Sequence, residues 1–415
     1  MTASIGELIR VFGRIGLLSF GGPAAQIALM HRELVEERPW LTEQQFLRAL
    51  SFCMLLPGPE AMQLATYTGW RLRGVPGGLI AGGLFVLPGA LVIMVLALLY
   101  AQFGARPETE ALLMGVKACV VVIVAQALVK LSQKALKGRG EYIVAGLSFL
   151  GIYALGLPFP LIIALAALWG ALRAQGSEAP PPEPDRRRTS PVTIILWAVL
   201  WLLPLPLLWI TGQTLLFDLA AFFAKLAVVT FGGAYAVLAY MAQEVVETRG
   251  WLDAAQMVDA LGLAETTPGP LILVTQFVGQ LTGHVQGGPG LAIAAGALTL
   301  WMTFVPCFLW IFAGAPYVEN LLARPRLQSA LSGITAAVVG VILNLSLWFA
   351  LHVLFAKLLP VTVGPLSLDL PVLGSLRWQV LPLIGLAALL IFAGRRGIPV
   401  TLALCAALGW GLSQL

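Results

Sequence analysis

Two proline-bracketed glycines, Pro57-Gly58-Pro59 and Pro268-Gly269-Pro270, interrupt stretches of otherwise apolar sequence. Proline has no amide donor and a fixed φ, and glycine removes what helical preference is left. Each triplet therefore predicts two half-helices meeting at an unwound centre. Unwound backbone at membrane depth is tolerated only inside protein or beside a wet cavity. Amides freed at the N-terminus of a half-helix attract anions. Polar residues flank both breaks: Glu60, Gln63 and Tyr67 follow the first, Thr266 and Thr267 precede the second, and Thr275 and Gln276 follow it. Two further clusters, Ser19-Phe20-Gly21-Gly22 and Thr230-Phe231-Gly232-Gly233, each set a hydroxyl, a ring and two glycines in mid-span. They suit coordination of an oxyanion by neutral donors, or close approach of helix backbones. A plain packing kink is the competing reading of each PGP triplet.

Charges inside apolar segments form a second group of candidates. Lys117 lies within LLMGVKACVVVIVAQ, Glu60 directly follows the first PGP, and Glu265 comes three residues before the second. A charge at that depth costs at least ~2.5–3.5 kcal/mol, so it marks a functional site or a buried pair. Lys117 would supply positive potential to an anion, and either glutamate could carry a coupling proton. Arg14 and Lys225 would add to that potential or snorkel to the interface. The motif E-x-x-E-x-R-x-W occurs as Glu33, Glu36, Arg38, Trp40 and again as Glu244, Glu247, Arg249, Trp251. It reads as an interfacial helix with internal ion pairs, or as a gate closed by them.

What positions these residues is a duplication. Residues 12–59 align without a gap on 223–270 at an offset of 211, and 19 of the 48 pairs are identical. With 59% hydrophobic and 11% charged residues, the chain has less than half the usual solvated surface. Its continuous apolar runs exclude the alternation of a β-barrel. The expected fold is an all-α polytopic membrane protein, with about thirteen transmembrane helices in two inverted repeats and discontinuous PGP helices. The candidate spans are roughly 10–30, 47–70, 76–103, 110–130, 142–156, 159–172, 193–211, 219–241, 255–282, 289–315, 329–349, 379–394 and 397–413. The domains follow as a first repeat over 1–172, a cytoplasmic Pro/Arg-rich linker over 173–191, an extra span over 192–211, and a second, inverted repeat over 212–415.

Orientation is read from basic loops. Cytoplasmic Arg186, Arg187 and Arg188 bring Lys130, Lys134, Lys137 and Arg139 inside, along with Arg71 and Arg73, Arg324 and Arg326, and Arg395 and Arg396. Loop 283–288, without Lys or Arg, falls outside. One loop disagrees: 242–260 is net acidic yet falls inside. A re-entrant 47–70 would change the parity. The first residues lack the order of a cleavable signal, so the first helix is expected to remain as an anchor. Cys53, Cys119, Cys307 and Cys405 read as separate buried thiols, and His31, His284 and His352 have no metal-ligand spacing. No metal, no cofactor, no nucleic acid partner and no enzymatic chemistry are expected. Without a Walker-type glycine loop, the driving force would be electrochemical.

The blocks FGGPAAQIALMHRE, WLTEQQF, LLPGPEAMQLATYTGWRL and LFVLPG, then VTFGGAYAVLAYMAQ, GWL and GLAETTPGPLILVTQFVGQ, resemble the chromate ion transporters in their long-chain, two-domain form. The resemblance covers all but the linker. It implies efflux of chromate, with chromate resistance and sulfate as the structural mimic, across a bacterial-type inner membrane. The family's motifs fall on Gly21, Gly22, Pro57, Gly58, Pro59, Gly232, Gly233, Pro268, Gly269 and Pro270. A channel for oxyanions, a carrier of another oxyanion such as sulfate, and a homodimeric assembly stay open.

Overall fold

The computed structural model describes residues 3–174, 190–231, 233–322, 324–364, 366–394 and 397–414. Gly232, Arg186–Arg188, Arg395, Arg396 and nearly all of the linker lie outside the described residues. Among the described residues the regular structure is helical, apart from one small hairpin.

The first helices are short and broken where the motifs fall. α1 (Ile5–Leu18) opens on a capping box between Ser4 and Glu7, and stops at Ser19. Gly21 takes φ 88° and α2 (Gly22–His31) begins. The FGG cluster is thus a helix break, where the sequence had suggested a continuous span. A π-helical turn over Arg32–Glu36 leads to α3 (Glu43–Leu55), capped by Thr42 and Gln45. The PGP triplet follows, and α4 (Glu60–Phe103) starts beyond it.

Contacts across each break fix its direction. Arg14 Nη1 lies 3.3 Å from Glu33 Oε1, and the rings of Phe12 and Trp40 are 6.4 Å apart. Along a straight helix the nineteen residues from Arg14 to Glu33 would span roughly 28 Å. The chain therefore doubles back at Ser19–Gly22. Phe52 and Tyr67, with ring centroids 6.1 Å apart, report the same reversal at the PGP. α4 is itself two arms, since Arg73 and Gly74 leave helical geometry. A side chain at Gly69 would strike the carbonyl of Gly77, so these arms pack face to face.

α5 (Pro107–Ala135), α6 (Arg139–Tyr153) and α7 (Phe159–Leu172) complete the first repeat. α8 (Pro191–Leu202) and α9 (Pro204–Ile210) form the unmatched segment. The pattern then recurs: α10 (Thr214–Val229), a break, α11 (Ala234–Ala242), a π-helical turn over Gln243–Thr248, and α12 (Ala254–Glu265). Asp253 and Gln256 cap α12 at the positions matching Thr42 and Gln45. Beyond the second PGP, a 3-10 turn over Leu271–Leu273 opens α13 (Val274–Gly314), whose arms part at Gly287 and Gly288. α14 (Val318–Leu322) and α15 (Pro325–Leu354) follow, and α16 (Val380–Ala388) and α17 (Ile398–Leu412) end the chain.

Among the described residues, five helices are long and apolar enough to cross a membrane: 60–103, 107–135, 191–210, 271–317 and 325–354. The protein is a multi-pass membrane protein. Between α15 and α16, β1 (Leu358–Val363) and β2 (Leu366–Pro371) form an antiparallel hairpin. The sequence reading assigned no element there. The turn is made at Gly364, φ 61°, beside a β-branched run at 361–363.

Two compact units emerge, and neither coincides with a repeat. The first holds 1–101, 176–234 and 267–325, and the second holds 102–175, 235–266 and 326–415. Each takes elements from both halves of the duplication.

Candidate functional site

In the first unit the breaks of the two repeats are joined through their backbones. The amide of Gly58 donates to the carbonyl of Thr230 at 2.9 Å, and the amide of Gly269 donates to the carbonyl of Ser19 at 2.8 Å. Both bonds join positions that correspond at the 211-residue offset, with the repeats exchanged. Gly58 and Gly269 hold φ at 116° and 89°, a region that L side chains rarely adopt. Space is also lacking: a Cβ on Gly58 would sit 2.9 Å from Gln63 Nε2 and 3.0 Å from Cys307 Sγ. The FGG turns match as well. Phe20 N–H bonds Leu18 O at 2.9 Å, and Phe231 N–H bonds Val229 O at 3.1 Å.

Side chains brace these breaks. Gln26 Nε2 donates to Gly269 O at 2.7 Å, and Gln63 Nε2 donates to Pro57 O at 2.7 Å. Gln276 Nε2 reaches Ala90 O at 3.0 Å, and a Cβ on Gly89 would meet the Pro268 carbonyl. Glu60 extends toward Gly233, where an added Cβ would lie 3.9 Å from Oε1. The expected hydroxyl donors are already engaged: Ser19 Oγ bonds Ile15 O at 2.6 Å, and Thr230 Oγ1 bonds Leu226 O. Main-chain amides are a further class of donor at these breaks. The first turn of each half-helix has N–H groups without an intrahelical acceptor, and α2, α4 and the 271–273 turn all begin at these breaks.

Other candidates sit apart from that cluster. Tyr67 packs between Phe52 and Trp70, with its hydroxyl 3.5 Å from Arg71 Nη1. Arg14 and Arg38 both hold the buried Glu33, Arg38 at 2.6 Å. His31 lies between Glu36 at 3.0 Å and Glu43 at 2.6 Å. The hydrogen bond that His31 donates to Glu43, with Glu36 adding to it, raises the His31 pKa above its ordinary value of 6.5, against the opposing effect of partial burial. Lys225 lies in the last third of α10, whereas Thr267 and Pro270 belong to the second break itself.

The second unit holds the remaining charged candidates, two of them in ion pairs with Asp259 and Arg249. Lys117 Nζ on α5 lies 2.7 Å from Asp259 Oδ1 on α12. Its charge is thus balanced by a buried carboxylate that the sequence reading overlooked. Glu265 accepts a hydrogen bond from Tyr235 at 2.9 Å. Arg249 Nε bonds Glu244 Oε1 at 3.0 Å and stacks over Trp251, so the Glu–Arg pair of the motif forms in both repeats. Glu247 lines a separate cavity with His352 and Asp369. Among the described residues, no cluster of His, Cys, Asp and Glu could hold a metal ion.

The chromate transporter family model matches residues 6–171 and 217–410, both repeats and little of what lies between. The chain belongs to the chromate transporter family. A chromate transport protein of Cupriavidus metallidurans is 31% identical over 345 residues, covering 82% of this chain and 81% of that protein. One from Pseudomonas aeruginosa is 32% identical over 353 residues, covering 81% of this chain and 79% of its own length. An uncharacterized transporter of Bacillus subtilis is 30% identical over 168 residues, covering 40% of this chain but 94% of that protein. That aligned length is close to the length of one of the two stretches the family model matches. The family is one of transporters, not enzymes. No solved structure matches the chain.

Proposed function

We propose that the chain exports chromate, a divalent tetrahedral oxyanion, from the cytoplasm by alternating access, and so confers chromate resistance. The observation that carries this reading is the meeting of helix breaks from both repeats within one unit, bonded as Gly58–Thr230 and Gly269–Ser19. That such relatives are named for chromate transport supplies the substrate.

In this reading the first-turn amides of α2, α4 and the turn opening α13 bind the anion. Neutral backbone donors suit a dianion that must also be released, because each amide is a partial charge fixed by its helix. Gln63 and Gln276 hold the breaks open around it. Oppositely inserted repeats supply the two access states. An inside-negative potential of 100 mV favours exit of a dianion by roughly 4.6 kcal/mol, twice the ~2.3 for one charge. Glu60 and Glu265 are the groups that would couple a proton to that flux, from a bacterial-type inner membrane. Sulfate, of the same shape and charge, is the expected competitor.

Uptake of radiolabelled chromate into everted vesicles tests this, with and without an imposed potential. Saturable, potential-sensitive accumulation blocked by sulfate is the expected result. No accumulation in sealed vesicles containing folded protein would remove chromate as the substrate. Flux that does not saturate and ignores Glu60→Gln and Glu265→Gln would make the protein a channel.

A further inference from the structure

We infer that the four motif-bearing segments, 5–31, 43–72, 214–242 and 254–286, re-enter the membrane without crossing it, the first two from the cytoplasmic face and the last two from the outer face. The inference does not depend on which anion is carried. A cavity of about 340 Å³ in the second unit is lined among others by Tyr153, Gly156, Glu247, Trp348, His352 and Asp369. Those residues lie at one level of the unit. Tyr153 and Gly156 form the turn between α6 and α7, while α6 begins at Arg139, next to Lys130, Lys134 and Lys137. Short basic loops stay cytoplasmic, so the opposite end of α6 faces out, and Glu247, His352 and Asp369 face out with it. α15 agrees independently. It begins at Pro325-Arg326 and passes His352 near its end; its 30 residues are roughly 45 Å long, ample for a crossing.

Chain continuity then decides the second repeat. α7 returns to the cytoplasmic face, and the charged, proline-rich linker 173–191 has no apolar run that could cross. The 191–210 segment crosses outward, which leaves residue 212 outside. Glu247 is also outside, so 214–242 begins and ends on the same face. α15 starts inside, and the second arm of α13 crosses to reach it, so the Gly287–Gly288 turn is outside. Asp253 is outside too, and 254–286 likewise returns to the face it left.

In the first repeat the contacts themselves close both hairpins. Arg14–Glu33 and Phe12–Trp40 fold α1 onto α2, and Phe52–Tyr67 folds α3 onto the first arm of α4. Arg73 Nε donates to the carbonyl of Ala3, which brings the start of the first hairpin level with the end of the second. α5 ends inside and therefore starts outside, and the second arm of α4 crosses to meet it. That leaves the Arg73–Gly74 turn in the cytoplasm. Four of the thirteen apolar segments thus do not cross, and loop 242–260, whose one basic residue is Arg249, moves to the outer face, in accord with the preference of Lys- and Arg-rich loops for the cytoplasm. The inversion of the two repeats is retained.

Labelling single cysteines with a membrane-impermeant maleimide, in right-side-out and in everted vesicles, tests the topology. The four native cysteines are buried, so the unmodified protein gives the background. Thr248→Cys and Ala255→Cys are expected to label from the outside, like Leu155→Cys in the α6–α7 turn. Gln44→Cys is expected to label only in everted vesicles, like Gln133→Cys near the end of α5. All five positions are exposed. If 248 and 255 label only in everted vesicles, or 44 only in right-side-out ones, the segments cross and the inference fails. It fails equally if 248 and 255 take no label from either side while both reference positions do. Chromate flux does not enter the readout, so a wrong substrate and a wrong topology give different results.

Discussion

Gly58 gives its amide proton to the carbonyl of Thr230, 172 positions away in the other repeat, and Gly269 does the same for Ser19. Neither hydrogen bond involves a side chain, so sequence can specify them only by allowing the backbone to reach that geometry. Two prolines narrow the approach, and glycine supplies the dihedral. The two bonds also have the same sense: the PGP amide of one repeat always meets the FGG carbonyl of the other.

Alanine at either glycine should therefore disable the protein. A side chain forced into left-handed backbone costs about 1–3 kcal/mol before any collision is counted. Gly58→Ala and Gly269→Ala are expected to lower chromate flux at least about tenfold, the equivalent of about 1.4 kcal/mol. Gly83→Ala, in a helical stretch of α4 with open space around it, is the matched control and should transport normally.

Lys117 and Asp259 should behave as a pair. Asp259→Asn leaves a partly buried ammonium, 19% exposed, without its carboxylate, at a cost below the ~3–5 kcal/mol of breaking a fully buried pair. The double variant Lys117→Met/Asp259→Leu is expected to recover most of that loss in thermal unfolding of the purified protein. If the double variant is as unstable as the single ones, the two residues are not coupled.

The matched Glu–Arg pairs should differ in cost. Glu33 is fully buried and serves two guanidinium groups, whereas Glu244 retains 18% exposure and serves Arg249. Glu33→Ala is expected to cost about 2–3 kcal/mol, with the half-exposed arginines limiting the figure, and Glu244→Ala nearer about 1 kcal/mol. Unfolding midpoints of the two variants at one ionic strength make the comparison.

A pH effect follows from His31. Its pKa in the folded protein is raised, so its contribution to stability is complete below the unfolded value of 6.5. That contribution disappears as pH rises through the higher folded value. Wild type should exceed Glu43→Gln in unfolding temperature most at pH below about 6.5, with the gap narrowing toward alkaline pH. A gap that widens with pH would contradict the assignment.

Much of the architecture is written in the duplicated motifs, because Gly and Pro act on the backbone wherever they stand. The PGP breaks, the capping residues Thr42 and Asp253, and the internal Glu–Arg pairs are all local consequences of this kind. The FGG breaks were harder to read, since glycine pairs in apolar helices mark close packing as readily as interruption. Lys117 stood out as a buried charge, but its partner Asp259 lay in a stretch that resembled a loop. A polar residue six positions before Glu265 on one helix was the available signal. Gln26 offered even less: one amide in an apolar helix, whose acceptor is a main-chain carbonyl 243 residues on. The direction in which a broken helix continues depends on contacts such as Arg14–Glu33, which no local pattern encodes.

The crossed backbone bonds also bear on what makes this a single molecule. Each compact unit borrows from both halves, and each break is completed by the other half, so the hydrogen bonds that join the halves at the breaks are non-covalent and do not require one continuous chain. Expressed as two separate polypeptides cut within that stretch, the halves should complement one another. Expressed singly, each would be left with an amide and a carbonyl seeking partners inside the bilayer.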